Sequence, residues 1–198
     1  MMWKITLGLM FLAVQSMYAE VVFDLGAQQF SNSVKQNYRD ATYDTGLAIA
    51  STGLAYTNGA YRAKPCSTGS MSVQIKNPKP KWGVTFSMYC YLNDDGCSVT
   101  LLGQKGQALN LTFDKNVLAV DGKKSKFYSG NTTINGSVQS LGKQIEVVIN
   151  GEWKFLVDKP DFALAHVAVQ ISSSDEHCSN GFENRHDKLN SLAVSSSD

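Results

Sequence analysis

From residue 71 onward, apolar and polar positions alternate with a period of two. Met71, Val73 and Ile75 interleave with Ser72, Gln74 and Lys76, and Asn77-Pro78-Lys79-Pro80 then closes the run, because proline removes a ladder donor. Trp82, Val84, Phe86, Met88, Cys90 and Leu92 share one face of a long strand, with Thr85, Ser87, Tyr89 and Tyr91 on the other; such alternation marks a half-buried strand. Short strands follow over Ser98–Leu102, Gln107–Phe113 and Val117–Asp121. Asn135-Gly136 reads as a turn with a strand after it at Val138, and the last strand runs from Leu164 to Ile171. Gln144–Ile149 and Glu152–Val157 are joined by Asn150-Gly151, a strong hairpin signal because a type I′ turn needs positive φ at both positions. Upstream, Val21-Val22-Phe23 predicts a strand, Gly46 to Tyr56 one or two more, and the polar stretch Gln28 to Asp40 has room for a short helix. Turn signals about every eight to twelve residues with little helical periodicity predict an all-β, antiparallel β-sandwich.

The ends of the chain depart from this pattern. Met1-Met2-Trp3-Lys4 carries one positive charge and Ile5 to Val14 is almost wholly apolar. A ten-residue run is too short for a membrane helix, which needs about 20 residues, but it fits the h-region of a secretory signal peptide. Residues 1–19 are therefore read as a signal peptide, cleaved after Ala19; a cut after Ser16 is the competitor. Residues 20–178 form a single sandwich domain, and residues 179–198, polar and serine-rich, are expected to be a mobile tail.

Composition agrees with an extracellular β-protein. The 198 residues hold 18 Lys and Arg against 17 Asp and Glu, and only 18% are charged. A formal charge of +1 supplies no long-range attraction for nucleic acid or an anionic membrane, and no later segment is apolar enough to span a bilayer. In an oxidising compartment the four cysteines, Cys66, Cys90, Cys97 and Cys178, read as two disulfides. The turn formers from Tyr91 to Gly96 let Cys90 fold back on Cys97, which leaves Cys66 for Cys178. Asn110-Leu-Thr, Asn131-Thr-Thr and Asn135-Gly-Ser are sequons for N-glycosylation at Asn110, Asn131 and Asn135.

The stretch 82–171 resembles the concanavalin-like jelly-roll group, in particular its galectin-like and laminin-G-like members. Val84 to Met88 looks like the strand opening their central sheets, Ala108 to Phe113 with Val117 to Val120 like the paired sugar-contacting strands, and Ile145 to Phe155 like the late hairpin. The resemblance implies a jelly-roll sandwich and a carbohydrate as ligand. It does not extend to the galectin sugar signature: the matching strand offers Asn110, Thr112 and Asp114 without His or Arg, and no Trp-Gly-x-Glu follows. Laminin-G-like modules often carry a rim Ca²⁺ site, for which Asp94-Asp95 would be the candidates, although adjacent acids in a turn are more often solvated.

Chemistry-bearing motifs are sparse. His166 alternates with Leu164 and Ala168, as a packed or edge histidine would, and His177 and His186 lie at and beyond the domain boundary. There is no Gly-x-Ser-x-Gly elbow, no zinc spacing and no Glu-x-Asp-x-x-Glu pair; Glu146 and Glu152 flank the Asn150-Gly151 turn as companions of Lys143 and Lys154. No catalytic residue, metal ligand or cofactor is assigned. Aromatics carry the functional expectation: Trp82, Trp153, Tyr56, Tyr61, Tyr89 and Tyr91 exceed what polar strand faces need, and flat rings stack on sugars or anchor interfaces. Tyr89 and Tyr91, opposite the apolar face, are the candidate binding residues. The expectation is a secreted, N-glycosylated binding module for a glycan or an extracellular protein. The alternatives are an interaction glycoprotein without a sugar site and a sandwich-fold glycoside hydrolase.

Overall fold

A computed structural model describes residues 20–24, 41–42, 47–57, 60–63, 68–90, 96–114, 116–126, 132–172 and 188–197. Sixteen strands and no helix occur among them. In the first sheet these are β1 (Glu20–Asp24), β4 (Leu54–Thr57), β5 (Ala60–Ala63), β7 (Lys81–Cys90), β12 (Thr132–Ser140), β13 (Gln144–Ile149), β14 (Trp153–Asp158) and β16 (Lys188–Ser197). In the second they are β2 (Ala41–Thr42), β3 (Leu47–Thr52), β6 (Thr68–Ile75), β8 (Cys97–Gly103), β9 (Ala108–Asp114), β10 (Val117–Val120), β11 (Lys123–Lys126) and β15 (Leu164–Ser172). The first sheet runs β14-β13-β12-β7-β16-β5-β4, with β1 also on β16; the second runs β11-β10-β9-β8-β15-β6-β3-β2. Every pairing is antiparallel. The molecule is an all-β antiparallel sandwich.

Alternation explains how the two sheets close on one another. On β7, Trp82, Val84, Phe86, Met88 and Cys90 are buried; on β9, Leu109, Leu111 and Phe113 answer them from the other sheet. Phe86 and Phe113 meet edge to face with ring centroids 6.4 Å apart, a geometry that sets the positive rim of one ring on the negative face of the other. At one end of the core Trp82 donates its indole N–H to the Phe162 carbonyl at 2.7 Å and packs on the Phe162 ring at 5.5 Å. The predicted Cys90–Cys97 disulfide is present, with Cα atoms 6.1 Å apart. It does not staple a hairpin, because Cys90 ends a strand of the first sheet and Cys97 begins one of the second. The bridge ties the two layers together. Cys66, Cys178, His177 and His186 lie outside the described residues, as do residues 1–19 and the segment 28–40 considered for a short helix.

Three expectations are corrected. Asn135-Gly136 is not a turn but the middle of β12, where Gly136 pairs with Phe86. A Cβ at Gly136 would lie 2.0 Å from the Phe86 ring, so the residue is glycine to make room for the ring and not to reverse the chain. On β15 a register shift between Leu164 and His166 turns Leu164 inward and leaves His166 half-buried on the outer face with Ala168. The largest correction concerns the chain end. Lys188–Ser197, expected within the mobile tail, is a central strand, paired to β7 along its length and to β5 and β1 on its other side. Leu189, Leu192 and Val194 are buried in the core, each worth about 1.5–3 kcal/mol of transfer free energy. A bulge between Leu189 and Ser191 interrupts their alternation, and Ser191, Ala193 and Ser195 occupy the outward positions. The composition of a tail is here the composition of a strand whose outer face is small and polar.

Two hairpin turns of the β10–β14 region follow their dipeptides. Asp121-Gly122 has φ of 48° and 83°, and Asn150-Gly151 has 50° and 70°, the left-handed pair a type I′ turn requires.

Candidate functional site

The register builds a polar surface on the outer face of the first sheet. On β7 the outward positions are Lys81, Gly83, Thr85, Ser87 and Tyr89. Ser87 stands beside Asn135 of β12 and Ser191 of β16, and Tyr89 beside Thr133 and Lys188. Lys188 in turn pairs with Arg62 of β5. Side chains in the middle of this face are small, so its relief comes from Tyr89 and the residues around it. Trp82 and Tyr61 are core residues, and Trp153 packs partly buried against the core. Tyr89 is therefore the one aromatic residue on either outer sheet face among the described side chains.

The Tyr89 ring is held. The Lys188 ammonium lies 5.9 Å from its centroid, a cation–π contact that restrains the ring and keeps positive charge beside it. Asn190, at the β16 bulge, donates to the Ser87 hydroxyl at 3.5 Å. The phenol ring is thus a flat surface bordered by hydroxyl, amide and cationic groups. Tyr91 lies outside the described residues. Lys188 and Asn190 were missed by sequence reasoning because they sit in the serine-rich end; the spacing of Leu189, Leu192 and Val194 was the signal for them.

The other end of this face is ionic. Glu146 of β13 pairs with Lys154 of β14 and accepts a hydrogen bond from Gln139 at 2.6 Å. The bond to Lys154, seconded by that to Gln139, holds its carboxyl below the usual range, so Glu146 stays ionised. A general acid needs the opposite shift.

On the second sheet, Asn110, Thr112 and Asp114 are exposed on β9, and the Asn110 side-chain oxygen accepts from the Thr100 hydroxyl at 3.1 Å. His166 is on the same outer face; burial lowers its pKa, and its Nδ1 makes no hydrogen bond within the described residues. Asn131, like Asp94 and Asp95, is outside the described residues, and Asn135 is exposed on the first sheet.

No protein-family profile matches the chain, and no curated protein matches it in sequence. Solved structures do share its architecture. The Crh5 transglycosylase superposes with a TM-score of 0.55 at 7% identity, over 81% of this chain and 82% of that one. The Ca²⁺-bound exoplasmic/lumenal domain of VIP36 gives 0.52 at 11% identity, over 83% of this chain and 88% of that one. A legume lectin-like domain from Entamoeba histolytica gives 0.50 at 10% identity, over 76% and 90% of the two chains. The fold is a concanavalin-like jelly roll. Identities this low establish the fold and no more.

Calcium, present in the VIP36 structure, needs six to eight oxygen ligands. No group of three or more His, Cys, Asp or Glu able to hold a metal exists among the described residues. No helix among them is long and apolar enough to cross a membrane.

Proposed function

We propose that this protein is a secreted glycoprotein that binds carbohydrate on the outer face of its first sheet, with Tyr89 as the stacking platform and Tyr91 extending it. The observation that carries the reading is the placement of Tyr89: the one aromatic ring on this outer face among the described side chains, set beside the small polar Ser87 and Thr133 and restrained by Lys188. Rigid aromatic rings lose little entropy on binding, and a sugar offers an apolar C–H face to stack and hydroxyls for the surrounding donors. The fold supports it, since VIP36 has been captured with Man2 bound.

Secretion rests on the leader-like residues 1–19, and β1 begins at Glu20, the first residue of the mature chain on this reading. The same compartment accounts for the Cys90–Cys97 bridge and provides for Cys66–Cys178 and for glycans on Asn110, Asn131 and Asn135. Glu146, paired with Lys154 and held ionised, is not set up as the general acid that glycoside hydrolysis needs. A protein partner is the second reading, favoured by two exposed leucines of the first sheet, Leu141 in the β12–β13 turn and Leu156 on edge strand β14, 52% and 45% accessible.

A glycan array probed with the secreted protein and its Tyr89→Ala variant tests the proposal. The wild type should bind a defined set of saccharides, and the variant should fold but bind them more weakly by about 1–3 kcal/mol, roughly 5- to 150-fold. Equal binding by the two removes Tyr89 from the site; binding by neither removes the function.

A further inference from the structure

Asn135 holds a position on this face that its sequon alone does not reveal. It lies in mid-strand, directly opposite Ser87, and the next outward pair along the same two strands is Thr133 with Tyr89. Asn135 and Tyr89 are thus diagonal neighbours on one face, at a backbone separation of about 7–8 Å that long and aromatic side chains span. The Asn135 backbone is pinned: its N–H donates to the Asn150 side-chain oxygen at 2.7 Å and its carbonyl accepts from the Asn150 N–H at 2.8 Å. Its side chain is exposed, as is Ser137 two positions on, and the side-chain amide makes no hydrogen bond within the described residues. Asn110, by contrast, has its side-chain oxygen engaged by Thr100. Lys188 approaches Tyr89 from β16, on the side away from β12. β12, with Asn135, flanks Tyr89 on the other side of β7.

We propose that the N-glycan carried by Asn135 folds back onto Tyr89, so that the ring's first sugar ligand is the protein's own. Attachment balances as an ordinary glycosyl transfer. The Asn135 amide nitrogen forms a bond to C1 of a lipid-pyrophosphate-linked oligosaccharide, the bond from C1 to pyrophosphate breaks, and the amide gives up one proton as the lipid pyrophosphate leaves. The pinned backbone fixes where the glycan emerges, and the short span to Tyr89 raises its effective concentration at the ring. The face is then self-covered: an external saccharide must displace the tethered one. This inference rests on the secreted, sugar-binding reading above.

The test uses full-length chain secreted from a glycosylating eukaryotic cell, as wild type, Ser137→Ala, Tyr89→Ala and the double variant, with Tyr89→Leu and its double variant in place of the last two if these are not secreted. Peptide mass mapping should show the Asn135 glycan in wild type and its loss in Ser137→Ala. Ser137→Ala should lower Tm by about 2–4 °C, and this drop should vanish when Tyr89 is already replaced. If the tethered sugar holds the ring nine-tenths of the time, Ser137→Ala should also bind array saccharides about tenfold tighter. An unoccupied Asn135, or the same Tm drop in both backgrounds, overturns the inference even if saccharides bind. Coupling of Asn135 to Tyr89 with no saccharide bound by any variant upholds it and sinks the binding function instead.

Discussion

Leu192→Ala probes the placement of the chain end. Leu192 pairs with Phe86 across β16 and β7 and has 0% of its surface accessible. Truncation removes the buried atoms and leaves a cavity that a sheet held on both sides closes poorly, so the cost is about 2–5 kcal/mol. For a domain of this size that is a fall in Tm of roughly 5–20 °C. Urea unfolding followed by tryptophan fluorescence reads it well, because Trp82 is buried in the same core. The midpoint should fall while the denaturant slope holds, the mark of a stability change and not of a more open native state. Ser191→Ala, on the outward side of the same strand opposite Ser87, is the control and should change stability by less than about 0.5 kcal/mol. A Leu192→Ala cost as small as the control's would mean that residues 188–197 are a tail after all.

Gly136→Ala should cost about 1–3 kcal/mol by overpacking, since its Cβ would strike the Phe86 ring; Phe86→Leu in the same chain should recover part of that loss, and additive losses in the two variants would refute the contact. Replacing Cys90 and Cys97 by alanine should cost about 2–2.5 kcal/mol in the chain-entropy model for a separation of 7 residues, and a denaturation midpoint indifferent to the change would argue against the bridge. Burial holds the His166 pKa below its ordinary 6.5, so the folded state resists a proton that the unfolded chain accepts. Stability should hold above pH 6.5 and decline as pH falls through that value toward the lowered one. His166→Gln should flatten that part of the profile, and an unchanged slope would place the titration elsewhere.

The strands that were legible from sequence are those whose inward and outward residues differ sharply in polarity. β7, β9 and β13 read directly because large apolar side chains alternate with Ser, Thr, Asn or Glu, and the Asn150-Gly151 turn carries its own backbone requirement. β16 was not legible, because a bulge breaks its period and its outward serines mimic a solvated tail. Gly136 misled for a related reason: Asn-Gly is a turn signal locally, but here a tertiary neighbour, Phe86, demands the missing side chain. The Cys90–Cys97 pairing came out right while its architecture did not, since short separation alone does not distinguish a hairpin from a crossing between sheets. Of the candidate site, alternation placed Tyr89 on the outer face. Lys188, Arg62 and Asn135 joined it only through pairings between distant strands, which local pattern does not contain.

The most direct measurement of the central claim is an amide chemical-shift titration of the secreted protein with a saccharide selected on the array. Perturbations should cluster at Ser87, Tyr89, Thr133 and Lys188 on the outer face of the first sheet. Perturbations centred instead on Asn110, Thr112 and His166 of the second sheet, or none at saturating saccharide, would contradict it.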